Sequence, residues 1–219
     1  MSNIIIDLET IPNQSESAIN LIASEIKAPA QMKVQKTIDD WHSGSGKYEG
    51  AKEKAIQEQY LKTSFDGGYG QICCIGVDID GHEHCLVDAG NEDQMLAAFW
   101  DMIGCDVTSP YFIAHNAKFD LPFLWHRSII NGVAPHKFFK AYGRHNSDYY
   151  CTMEAWAGFN GKIGLDRLAK ILGLGSKTEG MDGSQVWPEY QKGNIKKISD
   201  YCLDDVRLTK AIYERLTIK

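Results

Sequence analysis

The sequence predicts an α/β fold: a mixed β-sheet flanked by helices, with a long inserted arm after the first strand. Three observations predict it. The β-branched run Ile4-Ile5-Ile6 leads straight into Asp7-Leu8-Glu9-Thr10, and such runs favour a pleated strand. Two apolar runs, 71–79 and 84–87, flank Asp80-Gly81, a strong hairpin signal. From Asn91 onward helix-like and strand-like patterns alternate, which places helices on the faces of a sheet.

Composition sets the outer bounds. A chain of 219 residues fits one domain, with or without an elaborated insertion. Apolar content of 43% and charged content of 24% are ordinary for a globular protein. No apolar run is long enough to span a bilayer. The first residues lack the basic segment, apolar stretch and cleavage site of a secretory signal, so cytoplasmic residence is expected. The net charge of −6 does not suggest a strongly basic nucleic-acid-binding surface. It leaves a nucleic-acid enzyme open, since clustered metal-binding acids add negative charge themselves. The six cysteines, at 73, 74, 85, 105, 151 and 202, form no C-x-x-C pair, so neither a zinc knuckle nor a redox motif is indicated; several read as small core residues. His82-Glu83-His84 reads as an exposed hairpin ahead of a weak metal site.

The elements follow in order. Residues 13–64 form the inserted arm or flap, opening on a polar stretch at Asn13, with Ser43-Gly44-Ser45-Gly46 inside it and a Lys/Glu-rich segment from Lys47 to Lys62. In that segment Ala51, Ala55 and Gln59 give only a thin apolar stripe, so it is expected to be a solvated helix. A connection this long without a clear core face is unusual in a compact domain. Lys27, Lys33 and Lys36 offer it phosphate partners, and a plain surface excursion explains it equally well. A helix capped by Asn91, with Glu92 and Asp93 in its first turn, suits the helix dipole and stops near Gly104. Pro110–Ala114 is a short buried strand running into His115-Asn116-Ala117-Lys118-Phe119-Asp120-Leu121-Pro122. Proline is best tolerated in a first helical turn, so Asp120 should open the next helix. A strand over 148–151, a helix over 165–172 stopped by Gly173, and a last helix from Asn194 complete the chain.

In a strand, side chains alternate faces, so Asp7 and Glu9 point the same way and Leu8 the other. A strand running out into solvent explains a lone D-x-E as well as any site does. Asp120, just past another strand end, and Asp205, one helical turn beyond Tyr201, change the balance. Crowded carboxylates repel, and burying them unpaired is expensive. Two divalent cations about 3.5–4 Å apart would relieve the repulsion and create a phosphoryl-transfer centre.

Asp7-x-Glu9, His115-Asn116-x-x-Phe119-Asp120 and Tyr201-x-x-x-Asp205 resemble, in order, the three motifs of the DEDD exonuclease superfamily, with its ribonuclease H-like fold. Tyr201 places the likeness in the DEDDy branch. Gly70-Gln71-Ile72-x-x-Ile75-Gly76, Asp182-Gly183-Ser184-x-Val186 and Tyr201-Cys202-Leu203-Asp204-Asp205-Val206 with Thr209 are similar to the predicted stand-alone exonucleases related to the proofreading domain of family B DNA polymerases. The likeness spans nearly the whole chain and is weak over 13–64.

The resemblance implies metal-dependent 3′→5′ hydrolysis of a nucleic acid with a free 3′ end, releasing nucleoside 5′-monophosphates. It implies two Mg²⁺ or Mn²⁺ ions. Asp7 would bridge both, Glu9 and Asp205 would hold the metal associated with the nucleophile, and Asp120 would complete the second site. Tyr201 would orient the attacking water. DNA, single-stranded or frayed, is expected ahead of RNA, with an oligoribonuclease or an inactive binding module as alternatives. A polymerase or repair protein in trans is left open, and no membrane is expected.

Leu8, Thr10, His115, Asn116 and Phe119 are the candidate substrate contacts. Each has a plainer reading: Leu8 and Phe119 as core, His115 as a structural residue, Asn116 as a helix cap. Asp204 reads as a surface acid, Asp148 as a buried hydrogen-bonded acid or outer contact, Trp187 with Tyr190 as helix packing ahead of base stacking, and Lys177 as a solvated lysine ahead of a phosphate contact.

Overall fold

A computed structural model describes residues 2–88, 90–106, 109–176 and 180–218, the side chains of 105 and 106 excepted. Lys177 lies outside these residues. The chain forms two compact units, residues 1–10 with 72–219, and residues 11–71.

The first strand, β1 (Ser2–Ile11), is longer than the β-branched run alone. The smaller unit then carries α1 (Glu16–Glu25), α2 (Gln35–Ser43) and α3 (Ala51–Lys62). Its interior is small: Ile11 at the end of β1, Ala18 and Ile22 from α1, Trp41 from α2, Tyr60 from α3, and Thr63. Hydrogen bonds make up for the thin apolar stripe. The Thr63 hydroxyl donates to the Tyr60 carbonyl at 2.6 Å and accepts from the Asn13 N–H at 3.1 Å. The Gln14 N–H reaches the Gln71 side chain at 3.0 Å.

The larger unit contains β2 (Gln71–Ile79), β3 (His82–Val87), α4 (Glu92–Asp106), β4 (Pro110–Ala114), α5 (Ala117–Ile130), β5 (Tyr149–Cys151), α6 (Thr152–Ala157), α7 (Leu165–Leu172), α8 (Val186–Gln191) and α9 (Ile195–Leu216). The five strands make one mixed sheet in the order β3-β2-β1-β4-β5. β1 runs parallel to β4, and β4 to β5. β2 and β3 are antiparallel. The Asp80 N–H bonds the Asn3 carbonyl, and the Cys73 thiol bonds the Glu9 carbonyl, so the end of β2 lies beside the start of β1 and the pair is antiparallel. Helices flank this α/β sheet, as expected of a ribonuclease H-like fold. Among the described residues no helix is long and apolar enough to cross a membrane.

The period of two in β1 decides what each face does. Ile4, Ile6 and Leu8 pack with Leu96 and Phe99 of α4 and Leu121 and Leu124 of α5. Ile5 packs with Ile113 and with Val206 of α9 on the other side. Full burial of such side chains contributes roughly 1.5–3 kcal/mol each. Asp7 and Glu9 share the parity of Ile5, so they fall on the face that α9 covers.

β3 starts two residues earlier than expected, at His82, and β5 one later, at Tyr149, and two helix boundaries also differ. α4 runs through Gly104 to Asp106, because buried Ile103 outweighs the ~1 kcal/mol that a helical glycine costs. α5 begins at Ala117, which puts Pro122 in its second turn and Asp120 in its first.

The larger unit is held by buried polar ties as well as by its core. Glu92 accepts a forked pair of bonds from Arg127, with contacts of 2.6–3.1 Å, and one from the Ile72 N–H at 2.8 Å, joining α4, α5 and β2. α9 is pinned to the β2–β3 hairpin twice, by Lys210 on buried Asp78 at 2.8 Å and by Arg207 on Glu83 at 2.6 Å. The five described cysteines are free thiols, with Cys73, Cys74, Cys151 and Cys202 buried and Cys85 partly so.

Candidate active site

The site starts from β1. Asp7 is half-buried and Glu9 buried, and both lie on the α9 side. Helix α9 presents Ile198, Tyr201, Cys202, Asp205, Val206 and Thr209 as its buried stripe, at the three- and four-residue spacing of one helix face. Gly76 lets this helix come close. A β-carbon there would sit 2.8 Å from Cys202 Sγ, 3.1 Å from Val206 Cγ2 and 3.3 Å from the Cys202 carbonyl oxygen.

The close approach brings the Cys202 thiol to Asp7. It donates to the Asp7 carbonyl at 3.4 Å and lies 3.6 Å from Oδ2 of the carboxylate. A carboxylate oxygen from each of Asp7 and Glu9 and the Cys202 sulfur all lie within 4.8 Å of one another. Burial, together with the charges of Asp7 and Glu9, holds the Cys202 thiol well above the usual range, so it stays protonated.

Asp120 arrives from the other side of the sheet. The β1–β4 ladder pairs Ile5 with Ile113, and β4 stops at Ala114. Asn116 takes a left-handed turn, φ 70°, a conformation that asparagine tolerates better than most residues, and α5 begins. The Asp120 carboxylate then accepts from its own N–H and from the N–H of Leu8. It therefore bonds β1 between Asp7 and Glu9, just past the point where β4 ends. Burial pushes its pKa up to about 7, and the charge of Asp205 adds to the rise, against the two N–H bonds.

Asp205 is buried, and the Tyr201 hydroxyl bonds to it. Burial raises the Tyr201 pKa, and the charges of Asp205, Glu9 and Asp7 raise it further. Tyr201 is thus a neutral hydroxyl held among acids. Beside it opens a cavity of about 620 Å³, with Lys196 and Lys197 on its rim. Lys196 is bonded to Asp200, and Lys197 to Glu189.

The remaining candidates occupy varied places. Leu8 is core. Phe119 is partly buried against Phe123, ring centroids 5.4 Å apart. Thr10 is half-buried and Asn116 exposed. Both ring nitrogens of His115 are engaged, with the Thr152 hydroxyl at 2.8 Å and the Ile163 carbonyl at 2.9 Å, so it ties the loop before Asp120 to α6 and to the segment ahead of α7. Asp204 accepts from Arg207 at the surface. Asp148 is only half-buried and bonds the Arg144 N–H and Ser147 hydroxyl. Trp187 stacks on Tyr190. His82, Glu83 and His84 are exposed, and Glu83 is spent on Arg207.

Two residues of the site were not legible as such. Cys202 reads as one more small core residue of the last helix, and nothing local announces its contact with Asp7. Gly76 carries a signal, since an isolated glycine in a strand marks close approach of another backbone, but the approaching helix is far away in sequence.

The donor set fits hard divalent cations. Carboxylates from β1, α5 and α9 could supply oxygen ligands of the kind that suit Mg²⁺ and Mn²⁺; Asp7 and Glu9 lie within 4.8 Å of each other and of the Cys202 sulfur, a grouping that does not include Asp120 or Asp205.

Comparison with known proteins agrees on the family. Residues 71–218 match the family described as a predicted 3′-5′ exonuclease related to the exonuclease domain of PolB. The matched span holds Asp120, Tyr201 and Asp205, while Asp7 and Glu9 precede it on β1. A search of curated proteins returned no match.

Proposed function

Because the chain belongs to this family of predicted 3′-5′ exonucleases, we propose that it removes nucleotides one at a time from the 3′ end of a DNA strand, single-stranded or frayed, releasing nucleoside 5′-monophosphates. The observation that carries this reading is that Asp7, Glu9 and Asp205 all act on one neutral tyrosine, Tyr201, while Asp120, which feels the charge of Asp205, bonds β1 at the Leu8 N–H between Asp7 and Glu9.

In this reading Asp7, Glu9, Asp120 and Asp205 hold two Mg²⁺ or Mn²⁺ ions. When bound, such ions make water a stronger nucleophile and stabilise the leaving oxygen. The reaction forms one bond from the water oxygen to phosphorus and breaks the bond from phosphorus to the 3′ oxygen, which takes up a proton. Tyr201 is too weak an acid to be a base at neutral pH. Its hydroxyl, bonded to Asp205, orients the water. The Leu8 N–H fixes the Asp120 carboxylate, so one acid on α5 keeps its place relative to two on β1.

The test uses 5′-labelled single-stranded DNA and RNA of matched sequence, with Mg²⁺, Mn²⁺ or EDTA. A ladder shortening from the 3′ end with metal and absent in EDTA is expected, stronger on DNA. Preferential RNA shortening would replace the DNA reading. No shortening of either polymer with any metal would leave only a binding module. Asp7→Ala and Asp120→Ala should each reduce activity to background with the folded circular-dichroism spectrum kept; activity retained in both would overturn the site assignment.

A further inference from the structure

The described residue with the most open large apolar side chain is Phe159, at 83% exposure. It stands at the tip of a tight turn between α6 and α7. The Gly158 N–H bonds the Glu154 carbonyl and the Gly161 N–H bonds the Gly158 carbonyl. Gly158 and Asn160 both take positive φ, 79° and 60°. At Gly161 a β-carbon would lie 2.1 Å from the Ala157 carbonyl oxygen and 2.9 Å from the Ala157 β-carbon, so the turn closes only around glycine. The ring is therefore held out by a defined turn, with no core to receive it.

One face of that ring already has a partner. Lys118 Nζ lies 4.3 Å from the ring centroid, and the same ammonium pairs with the buried carboxylate of Glu154. Lys118 is two residues before Asp120, so the ring sits against the segment that delivers the acid. His115 fastens the exit of the turn to that segment through the Ile163 carbonyl. Beneath the turn lies a cavity of about 280 Å³, whose lining includes Asn116, Lys118, Glu154, Asn160 and Lys162. Its two ammonium groups outnumber its one carboxylate in a chain whose net charge is −6. Its volume falls just below the roughly 300–1,000 Å³ of pockets for drug-sized ligands, a scale suited to one nucleoside unit.

We propose that Phe159 is a stacking platform for one base of a single-stranded polynucleotide, with Lys118 behind the ring and Lys162 at the rim for the adjoining phosphate. Aromatic rings that take bases face-on, beside cations that follow the backbone, are how single strands are held without sequence preference. The platform rests on the exonuclease reading only in its use: it would seat a base of the strand whose end lies at Asp7 and Asp120. A duplex keeps its bases stacked on one another, so the platform selects single-stranded or frayed substrate.

The experiment measures binding of 5′-fluorescein single-stranded DNA and RNA by anisotropy in EDTA, which keeps the strands intact. Phe159→Ala should weaken binding about 5- to 150-fold, the span of one lost base stack, and Phe159→Trp should restore it with tryptophan emission quenched by the strand. A series of strands, each with one abasic nucleotide near the 3′ end, should show a loss at one position with the natural protein and none with Phe159→Ala. DNA and RNA arms show which backbone the platform accepts. Unchanged affinity and an unchanged abasic profile in Phe159→Ala, in a protein that still trims 3′ ends, would overturn the platform and leave the exonuclease reading standing. Phe159-dependent binding without any trimming in Mg²⁺ or Mn²⁺ would support the platform and sink the exonuclease reading. No binding of either polymer by the natural protein would overturn the platform.

Discussion

Asp120 concentrates the electrostatic problem of the site in one side chain. Its pKa in the fold, about 7, stands above the ordinary 3.8 because burial disfavours the charged form and Asp205 repels it. The folded chain therefore binds this proton more tightly than the unfolded chain does. Between those two values the unfolded state releases the proton first, so the metal-free protein loses stability as pH rises from about 4 toward 7 and loses no more above that. Asp120→Asn removes the titrating group while keeping the side chain's shape. Melting temperatures measured in EDTA from pH 4 to 8 should fall with pH for the natural protein and fall less steeply for the variant; parallel curves would show that Asp120 titrates as an ordinary carboxylate. Tyr201 is shifted in the same direction. Its acidity is suppressed by burial and by three neighbouring acids, so it contributes a hydroxyl bond to Asp205. Tyr201→Phe keeps the ring and removes that bond, and should slow trimming by about 10- to 100-fold, the usual cost of losing an orienting partner at a metal site. Full loss, equal to that of Asp7→Ala, would argue that the hydroxyl takes part in the chemistry itself.

At the scale of elements the question is what sets the height of α9 above the sheet. Gly76 answers it, since a methyl group there meets Cys202 and Val206 closer than van der Waals contact, the Cys202 backbone included. Gly76→Ala should destabilise the protein by about 1–3 kcal/mol, or roughly 2–4 °C of melting temperature per kcal/mol. It should also cut activity more than the folded fraction falls, because Tyr201 and Asp205 ride on the displaced helix. Gly104→Ala is the control: it lies in α4 with nothing near a new β-carbon, and alanine there should stabilise by up to ~1 kcal/mol. If both variants melt alike, Gly76 is not the spacer. This is also where sequence and structure part. β1, the β2–β3 hairpin, α7 with its Gly173 stop and α9 with its Asn194 start were legible, because β-branched runs, a turn dipeptide and a three-to-four-residue stripe are local signals. The four acids were legible through their order along the chain. The contact of Cys202 with Asp7 and the fit of Gly76 under α9 join residues over a hundred positions apart, and no local pattern encodes a separation in space. The Lys/Glu-rich segment was legible as the solvated helix α3, while α1 and α2 were obscure for another reason: α2 buries one large side chain, Trp41, too few to mark a periodic face.

Over the larger unit as a whole, the acids form a junction. β1 lies in the middle of the sheet, with α5 on one face and α9 on the other; Asp120 of α5 bonds β1 at Leu8 and feels Asp205 of α9, and Tyr201 of α9 feels Asp205, Glu9 and Asp7. Burying the ionised Asp120 carboxylate, with the charge of Asp205 adding to it, works against folding above the pKa of Asp120. Elsewhere the buried Glu92–Arg127 fork ties α5 to α4 and the Asp78–Lys210 pair ties α9 to β2. A divalent ion bound to Asp7, Glu9, Asp120 and Asp205 would turn repulsion into a tie across all three elements. Since it would bind the folded chain and not the unfolded one, its stabilisation follows from mass action: about 2.7 kcal/mol at one hundred times the dissociation constant. At roughly 2–4 °C per kcal/mol for a unit of this size, Mn²⁺ at that excess should raise the melting temperature by about 5–11 °C at pH 8, where Asp120 is ionised. EDTA should reverse the shift. The gain should shrink on moving to pH 5.5, because a protonated Asp120 must lose its proton before it can bind. Asp7→Ala and Asp205→Ala should show no shift at all, while Asp204→Ala, whose acid serves Arg207 at the surface, should respond like the natural protein. A melting temperature indifferent to Mn²⁺ and Mg²⁺ in the natural protein would mean that the four acids do not hold a metal, and the proposed chemistry would lose its basis.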